Sequence, residues 1–359
     1  MTFLITFVLS FVLVLAFIPL VIGLARRRGW FDSTGGRKIH TGEIPRLGGI
    51  GIALGFLIAF PASVFIVRGL YPGEAAPSLS FWVLFSAGYG YHILGLVDDF
   101  RSLGAKLKFA VQFFLAAAVV LSGFYFRVVE VPVAPYRIEL GLLGPAVTIL
   151  WIMGIANALN LIDGMDGLSS GIALIGSGVW AMLYLKSGQY LPALAAISLT
   201  GAILGFLFYN FPPASIFMGD SGSLFLGYLL AVLPLLGKPG SQMETGLVPA
   251  ITICLIPIMD TGAAILRRWR WRVSFFTADK YHLHHKLMNL GFEQRQILAI
   301  IYGLCAILGT TVLASVYASP YLSFVLMMAS WVFCAVCFLV LHFLKEKNVR
   351  FFKGPEGGA

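Results

Sequence analysis

The chain has 359 residues, 59% of them hydrophobic and 11% charged, with 25 Lys and Arg against 16 Asp and Glu for a formal net charge of +9. A mean hydropathy of +0.90 excludes an ordinary soluble domain and marks a polytopic membrane protein. The excess of positive charge does not argue for nucleic acid, because the basic residues lie in loops between apolar runs, where anionic headgroups and the insertion rule account for them.

Runs of about 17 to 25 apolar residues, the length a helix needs to cross a bilayer, recur eleven times. They fall near 3–24, 47–67, 79–97, 107–126, 142–159, 168–185, 190–209, 221–236, 246–266, 296–317 and 321–343. The expected fold class is all-α, one transmembrane domain over 1–359 with a flexible cytoplasmic tail at 345–359. The first run has no basic stretch ahead of it and is too long for the apolar core of a cleavable signal, so it stays as the first span. Residues 128–140 alternate in polarity around Pro132 and Pro135, which predicts a small extracytoplasmic hairpin near 127–140. Gly51 with Gly55, and Gly201 with Gly205, have the spacing that lets membrane helices approach closely. All four cysteines fall inside apolar runs, and Cys334 and Cys337 share a helix face without the context of a redox motif, so they read as packing.

Orientation follows from the loops. With the N-terminus outside and the C-terminus in the cytoplasm, 20 of the 25 Lys and Arg fall on the inner side, as the positive-inside rule requires. The same parity puts Asp98, Asp99, Asp163, Asp166, Asp220 and Asp260 at the inner ends of spans, while Glu74, Glu130, Glu139 and Glu244 fall outside. An ionised Asp at mid-bilayer costs roughly 2.5–3.5 kcal/mol on the insertion scale. Six acids kept at span ends on one face therefore point to a site at the cytoplasmic surface.

Three inner stretches carry chemistry. Asn157, Asn160, Asp163 and Asp166 recur every third residue, one drifting helical stripe of amides and carboxylates suited to a polar ligand's edge or a hard cation. Asp220 opens a span between Gly219 and Gly222, where unpaired backbone N–H groups favour anions, although an acid there is also an ordinary N-cap. The third stretch runs from Arg267-Arg268 through Asp279-Lys280 to His282, His284 and His285. With no cysteine nearby, zinc is a poor fit for these histidines, and phosphate contacts from imidazole and Arg suit them better. Arg37, Lys38, His40 and Arg46, with Lys106 and Lys108 just past the Asp98-Asp99 pair, surround the acids with cations. Acids and cations on one face suggest Mg²⁺ and phosphate groups, hence phosphoryl transfer to a lipid-borne substrate. A divalent-cation transporter is the competing class, but its acids belong near the bilayer midplane with access from both faces.

Five stretches taken together, RKIHTGEIPRLGG, GLVDDFRSLGAKLKFAVQ, NALNLIDGMDGL, NFPPASIFMGDSGSLFLG and the DTG…RR…DKYHLHHKL loop, resemble the polyprenyl-phosphate N-acetylhexosamine-1-phosphate transferases. That superfamily also contains the phospho-MurNAc-pentapeptide transferase. HLHH behind Asp279-Lys280 is similar to the GlcNAc-1-phosphate branch, whereas the pentapeptide branch shows consecutive histidines there. The resemblance implies transfer of a HexNAc-1-phosphate from a UDP-N-acetylhexosamine to undecaprenyl phosphate, with release of UMP and with Mg²⁺ or Mn²⁺ as cofactor. It implies a multi-pass protein of the bacterial cytoplasmic membrane and is compatible with a homodimer. Carried over to this chain, Asp220 and Asp99 become metal ligands, and Asp98 a further ligand and the base or positioner for the lipid phosphate, with a covalent aspartyl-phosphate on Asp98 as the rival mechanism. Phe217 becomes the ring under the uracil, with Asn160, Asn210, Asp163 and Asp166 along the nucleoside side. Lys38, Arg46, Lys108, Arg267, Arg268, His282, His284 and His285 become contacts to phosphates or sugar.

Overall fold

In the computed structural model, residues 1–31, 44–70, 77–131, 136–237, 246–274 and 281–343 are described. Lys38, the Asp279-Lys280 pair and the tail from 345 lie outside the described residues. Backbone polar groups in hydrocarbon must be satisfied within their own segment, and the apolar runs form helices accordingly. These are α1 (Thr2–Arg28), α2 (Gly48–Leu70), α3 (Leu79–Arg101), α4 (Ala105–Leu121), α5 (Leu143–Ile162), α6 (Leu168–Lys186), α7 (Tyr190–Asn210) and α8 (Gly219–Val232, continued by a 3-10 turn over Leu233–Leu236). They are followed by α9 (Leu247–Ile253), α10 (Leu255–Arg270), α11 (Leu283–Asn289), α12 (Gln294–Ser315) and α13 (Pro320–Phe343). Among the described residues, nine helices are long and apolar enough to cross a membrane. Counted as one span, the bent pair α9–α10 would bring the number to ten, and α4, at 17 residues, falls on the expected run at 107–126. The hairpin is present as β1 (Val128–Val131) and β2 (Tyr136–Glu139), antiparallel with Val128 opposite Glu139.

One expected span differs in form. The run at 246–266 is two helices bent by 77° at Cys254. Pro257 is the cause visible in the sequence: its ring excludes a helical carbonyl four residues back, at Ile253, where α9 ends.

The centre of the bundle is α8. Every residue from Ser221 to Leu236 is buried, as expected of a helix that is apolar or small all round. It packs against α3 and α5, and more lightly against α2 and α6. α1 lies outside this core against α2 and α7, and Gly201 and Gly205 of α7 permit the approach: a Cβ there would stand 2.5 and 2.7 Å from the carbonyl oxygens of Phe7 and Phe11. This packing brings the ends of α3, α5, α7 and α10 and the starts of α2, α4, α6 and α8 to one face, where the polar residues gather.

Candidate active site

The site is built on the N-terminus of α8. Gly219 has φ +72°, and a Cβ there would fall 2.3 Å from the Arg46 carbonyl oxygen and 2.7 Å from Asp99 Oδ2, so only glycine admits both neighbours. Asp99, at the end of α3, then accepts the backbone N–H of Asp220 (2.8 Å) on Oδ1 and that of Ser221 (3.0 Å) on Oδ2. Two orphan donors of a helix start are thereby satisfied from a distant helix, and a negative charge sits at the positive end of the macrodipole. On the other side, Phe217 donates its N–H to the Pro45 carbonyl at 2.8 Å, and Gly48 and Gly49 donate theirs to the carbonyls of Phe217 and Met218 at 2.9 Å each. That ladder carries Arg46 to 3.8 Å from Asp220.

Asp98 points elsewhere. The chain turns sharply at Ser102 (φ 47°) after α3, which folds the Leu103 N–H back onto Asp98 Oδ1 at 2.5 Å. α4 then presents Lys108, whose Nζ lies 2.6 Å from Asp98 Oδ2 and 3.4 Å from Asp220 Oδ2. One ammonium thus bridges two carboxylates, and these charges are 9–24% exposed. Being mostly out of water, they interact more strongly than surface pairs.

Asp163 stands just past α5 and accepts a hydrogen bond from Ser169 Oγ. It keeps some surface open to the cleft, but crowding by protein atoms dominates and pushes its carboxyl up to about 7. The nearby carboxylates of Asp220 and Asp99 add to the rise, while Ser169 and Arg46 oppose it. Asn160 donates to Ser223 Oγ at 2.8 Å, tying α5 to α8.

Two expected ligand contacts are occupied by the frame. Asn210 Oδ1 accepts from the Gly167 N–H and from Ser170 Oγ, both at 3.0 Å, and its Nδ2 donates to the Ile216 carbonyl at 3.0 Å. Asp166 Oδ2 accepts the Ala214 N–H at 3.0 Å. Both side chains are buried and hold the 163–167 and 211–218 loops together. Phe217 is half-buried in the same loop.

The histidine helix α11 closes the remaining side. His284 is 1% exposed, neither ring nitrogen has a hydrogen-bond partner among the described residues, and a Cβ on Gly164 would meet its Nε2 at 2.6 Å. It therefore packs on the Asp163 loop. Burial drives its pKa down to about 3, with His285 adding to the fall, so it is a neutral imidazole. The His284 and His285 ring centroids are 4.2 Å apart, and the His282 and His284 rings are parallel at 6.0 Å. Arg268 is buried with its Nε unpartnered among the described residues. Arg267 lies beside it in sequence on α10. A buried guanidinium Nε–H and a buried imidazole without partners among the described residues are costly unless an anion or polar ligand completes them.

Asp260 is absent from the expected binding and catalytic residues and proves central: it is buried on α10 and bonds His282. Its expected position at a span end was the available signal; its partner, 22 residues on, was not.

Among the described residues no three His, Cys, Asp or Glu side chains are grouped to hold a metal ion by themselves. The donor set nevertheless fits a hard cation. It is all oxygen, it already embraces one cationic group in Lys108, and Mg²⁺ commonly takes one or two carboxylates and completes its shell with water and substrate phosphate.

Residues 81–238 match the family model described as Glycosyl transferase family 4. The chain is 35% identical over 349 residues to the probable undecaprenyl-phosphate N-acetylglucosaminyl 1-phosphate transferase of Bacillus subtilis, covering 97% of this chain and 95% of that protein. It is 33% identical over 343 residues to the decaprenyl-phosphate N-acetylglucosaminephosphotransferase of Mycobacterium tuberculosis, covering 88% and 83%. With the undecaprenyl-phosphate alpha-N-acetylglucosaminyl 1-phosphate transferase of Yersinia pestis, identity is 30% over 296 residues, covering 81% and 78%. Matches of this length span both the carboxylate cluster and the histidine helix, and the chain belongs to glycosyl transferase family 4, in the branch of the undecaprenyl-phosphate N-acetylglucosaminyl 1-phosphate transferases.

Proposed function

We propose that this multi-pass membrane enzyme transfers N-acetylglucosamine-1-phosphate from UDP-GlcNAc to undecaprenyl phosphate, releasing UMP and starting a cell-envelope glycan on its lipid carrier. The observation that carries this reading is the cluster of Asp98, Asp220, Lys108 and Arg46 around the Asp99-held start of α8, with His284, unpartnered among the described residues, packed on the adjoining loop. Opposed charges concentrated at one end of a helical bundle suit a diphosphate and a phosphate monoester brought together.

The bond that forms joins a lipid phosphate oxygen to the sugar-bearing phosphorus, and the bond that breaks releases UMP. Lys108 and Arg46 spread the charge of the diphosphate, and positioning supplies most of the acceleration. A phosphate monoester with a second pKa near 6 is mostly dianionic at pH 7 and needs no strong base. Asp98 has one oxygen on the Leu103 N–H and the other on Lys108. That engagement favours a role in holding Lys108 over one as a covalent nucleophile. Mg²⁺, held by Asp220 with Asp98 or Asp99, would supply further charge neutralisation on the phosphate oxygens. Phe217 offers a face for the uracil, and His284, His285 and Arg268 offer groups for sugar or phosphate. The charge asymmetry of the loops supports a cytoplasmic position for this face.

Purified protein in undecaprenyl-phosphate micelles is expected to release UMP from UDP-GlcNAc, to stop on addition of EDTA and to resume with excess Mg²⁺. Turnover of UDP-MurNAc-pentapeptide instead would move the protein to the pentapeptide branch. Labelled phosphate retained on the wild type with UDP-GlcNAc alone, and lost in Asp98→Asn, would establish a covalent intermediate in place of direct attack.

A further inference from the structure

Resting on the transferase reading above, we propose that Asp260 is a positioning residue that fixes the ring of His282 and aims its Nε2 at the donor. Asp260 lies on α10, past the bend at Cys254, and is 2% exposed. Its Oδ2 stands 2.7 Å from His282 Nδ1, and its Oδ1 accepts the Leu283 backbone N–H at 2.8 Å. His282 is itself 5% exposed. Both carboxylate oxygens are thus committed to the first residues of the histidine helix, which has no cap from its own side chains.

The chemistry of this pair is directional. A carboxylate only accepts, so the shared proton resides on Nδ1, and Nε2 is the ring nitrogen left for a ligand. Carboxylate–imidazole pairs of this kind elsewhere set both ring orientation and tautomer, and losing the carboxylate costs about 10–100-fold where the imidazole holds a metal and about 10⁴-fold where it is the base of a serine-protease triad. The pair also links two parts of the fold. α10 carries Asp260 and the buried Arg268 on its inward face, while α11 carries His284 onto the Asp163 loop. Asp260 therefore sets the height of all three histidines against the carboxylate cluster. A carboxylate acting only as a helix cap needs the Leu283 N–H and not the imidazole; here it takes both.

Replacement by Asn separates the two roles. In Asp260→Asn, the amide oxygen can still accept from Leu283, but the amide nitrogen must then donate to His282 Nδ1, which moves the ring proton to Nε2. In His282→Asn, the amide nitrogen stands in for Nδ1 and keeps the bond to Asp260, but nothing replaces Nε2. The test uses full-length protein, UDP-GlcNAc and undecaprenyl phosphate, together with ¹⁵N-histidine NMR at pH 8. Expected are an Nδ1–H signature for His282 in the wild type and an Nε2–H signature in Asp260→Asn. Expected too are kcat reduced by about 10–100-fold in Asp260→Asn with a smaller change in KM, and a similar loss in His282→Asn despite an unchanged Tm. The double variant Asp260→Asn/His282→Asn should be no slower than His282→Asn alone. Wild-type kcat in His282→Asn, additive losses in the double variant, or an Nε2–H signature in the wild type would each overturn the assignment. Wild-type protein that releases no UMP would overturn the transferase reading instead, and the NMR signature would still decide the geometry of the pair.

Discussion

Asp99→Asn separates a structural carboxylate from one that serves only a metal. In the wild type, each Asp99 oxygen takes a backbone N–H of α8, at 2.8 and 3.0 Å. Asparagine keeps one of these bonds, now uncharged, and turns its own N–H₂ toward the second donor. A hydrogen bond to a charged group contributes roughly 1.5–3 kcal/mol, and a carboxylate at a helix N-terminus adds about 0.3–1 kcal/mol. Relief of a partly buried charge offsets some of that, leaving a loss of about 1–3 kcal/mol. With about 2.1 cal/mol/K of unfolding entropy per residue over 359 residues, each kcal/mol moves Tm by about 1–2 °C, so a fall of about 1–4 °C is expected. Thermal unfolding of the detergent-solubilised protein, with EDTA present and substrates absent, reads it directly. Unchanged Tm in EDTA, with loss of only a Mg²⁺-dependent increment, would refute the capping role and leave Asp99 as a ligand.

Lys108→Met removes the ammonium between Asp98 and Asp220 and should lower kcat by about 10²–10³-fold, by the measure of a lost preorganised charge contact; steady-state UMP release checks this. Asn210→Leu loses three hydrogen bonds of the loop frame and should cost roughly 2–4 kcal/mol in stability, seen as a large fall in Tm; an unchanged Tm with a raised KM for the UDP-sugar would show a ligand contact instead. His284→Leu should abolish turnover yet raise Tm at pH 8, because an unpartnered buried polar group costs about 1–3 kcal/mol. With His284 held down at about 3 and near 6.5 when unfolded, the unfolded chain binds more protons between those values, so this residue lowers stability as pH falls from 6.5 to 3 and the leucine variant should lose that slope. Asp163 has the opposite sign. Raised to about 7, it holds a proton that the unfolded chain has released, so its contribution declines as pH rises from about 4 to 7. Asp163→Asn should be the more stable protein at pH 8, by about 1–3 kcal/mol after discounting for the open cleft, and no more stable at pH 4, as measured by Tm across the pH series.

Much of the architecture was legible in the chain because membrane insertion reads a local property. Each span near 3–24, 47–67 or 190–209 is recognisable from its own apolar residues, without knowledge of its neighbours. Parity alone led to the expectation that the acids gather on one side, and Asp98, Asp99, Asp163, Asp220 and the histidines do lie close together. The bend at 254 was present in the sequence as Pro257, but a proline can either kink a membrane helix or be absorbed by it, and the neighbouring contacts decide which.

The assignment of each polar atom depended on tertiary structure. Asn210 and Asp166 have the composition of ligand contacts and are spent on loops that meet only when α5, α6 and α7 pack. Asp98 and Asp99 are adjacent in sequence, yet one bonds α4 and the other α8, because successive residues on a helix point about 100° apart. Asp260 of α10 gained its partner at the start of α11, 22 residues on. Hydropathy sums along the chain and so determines which segments enter the membrane. A hydrogen bond is short and directional, so which donor meets which acceptor exists only once the helices are docked.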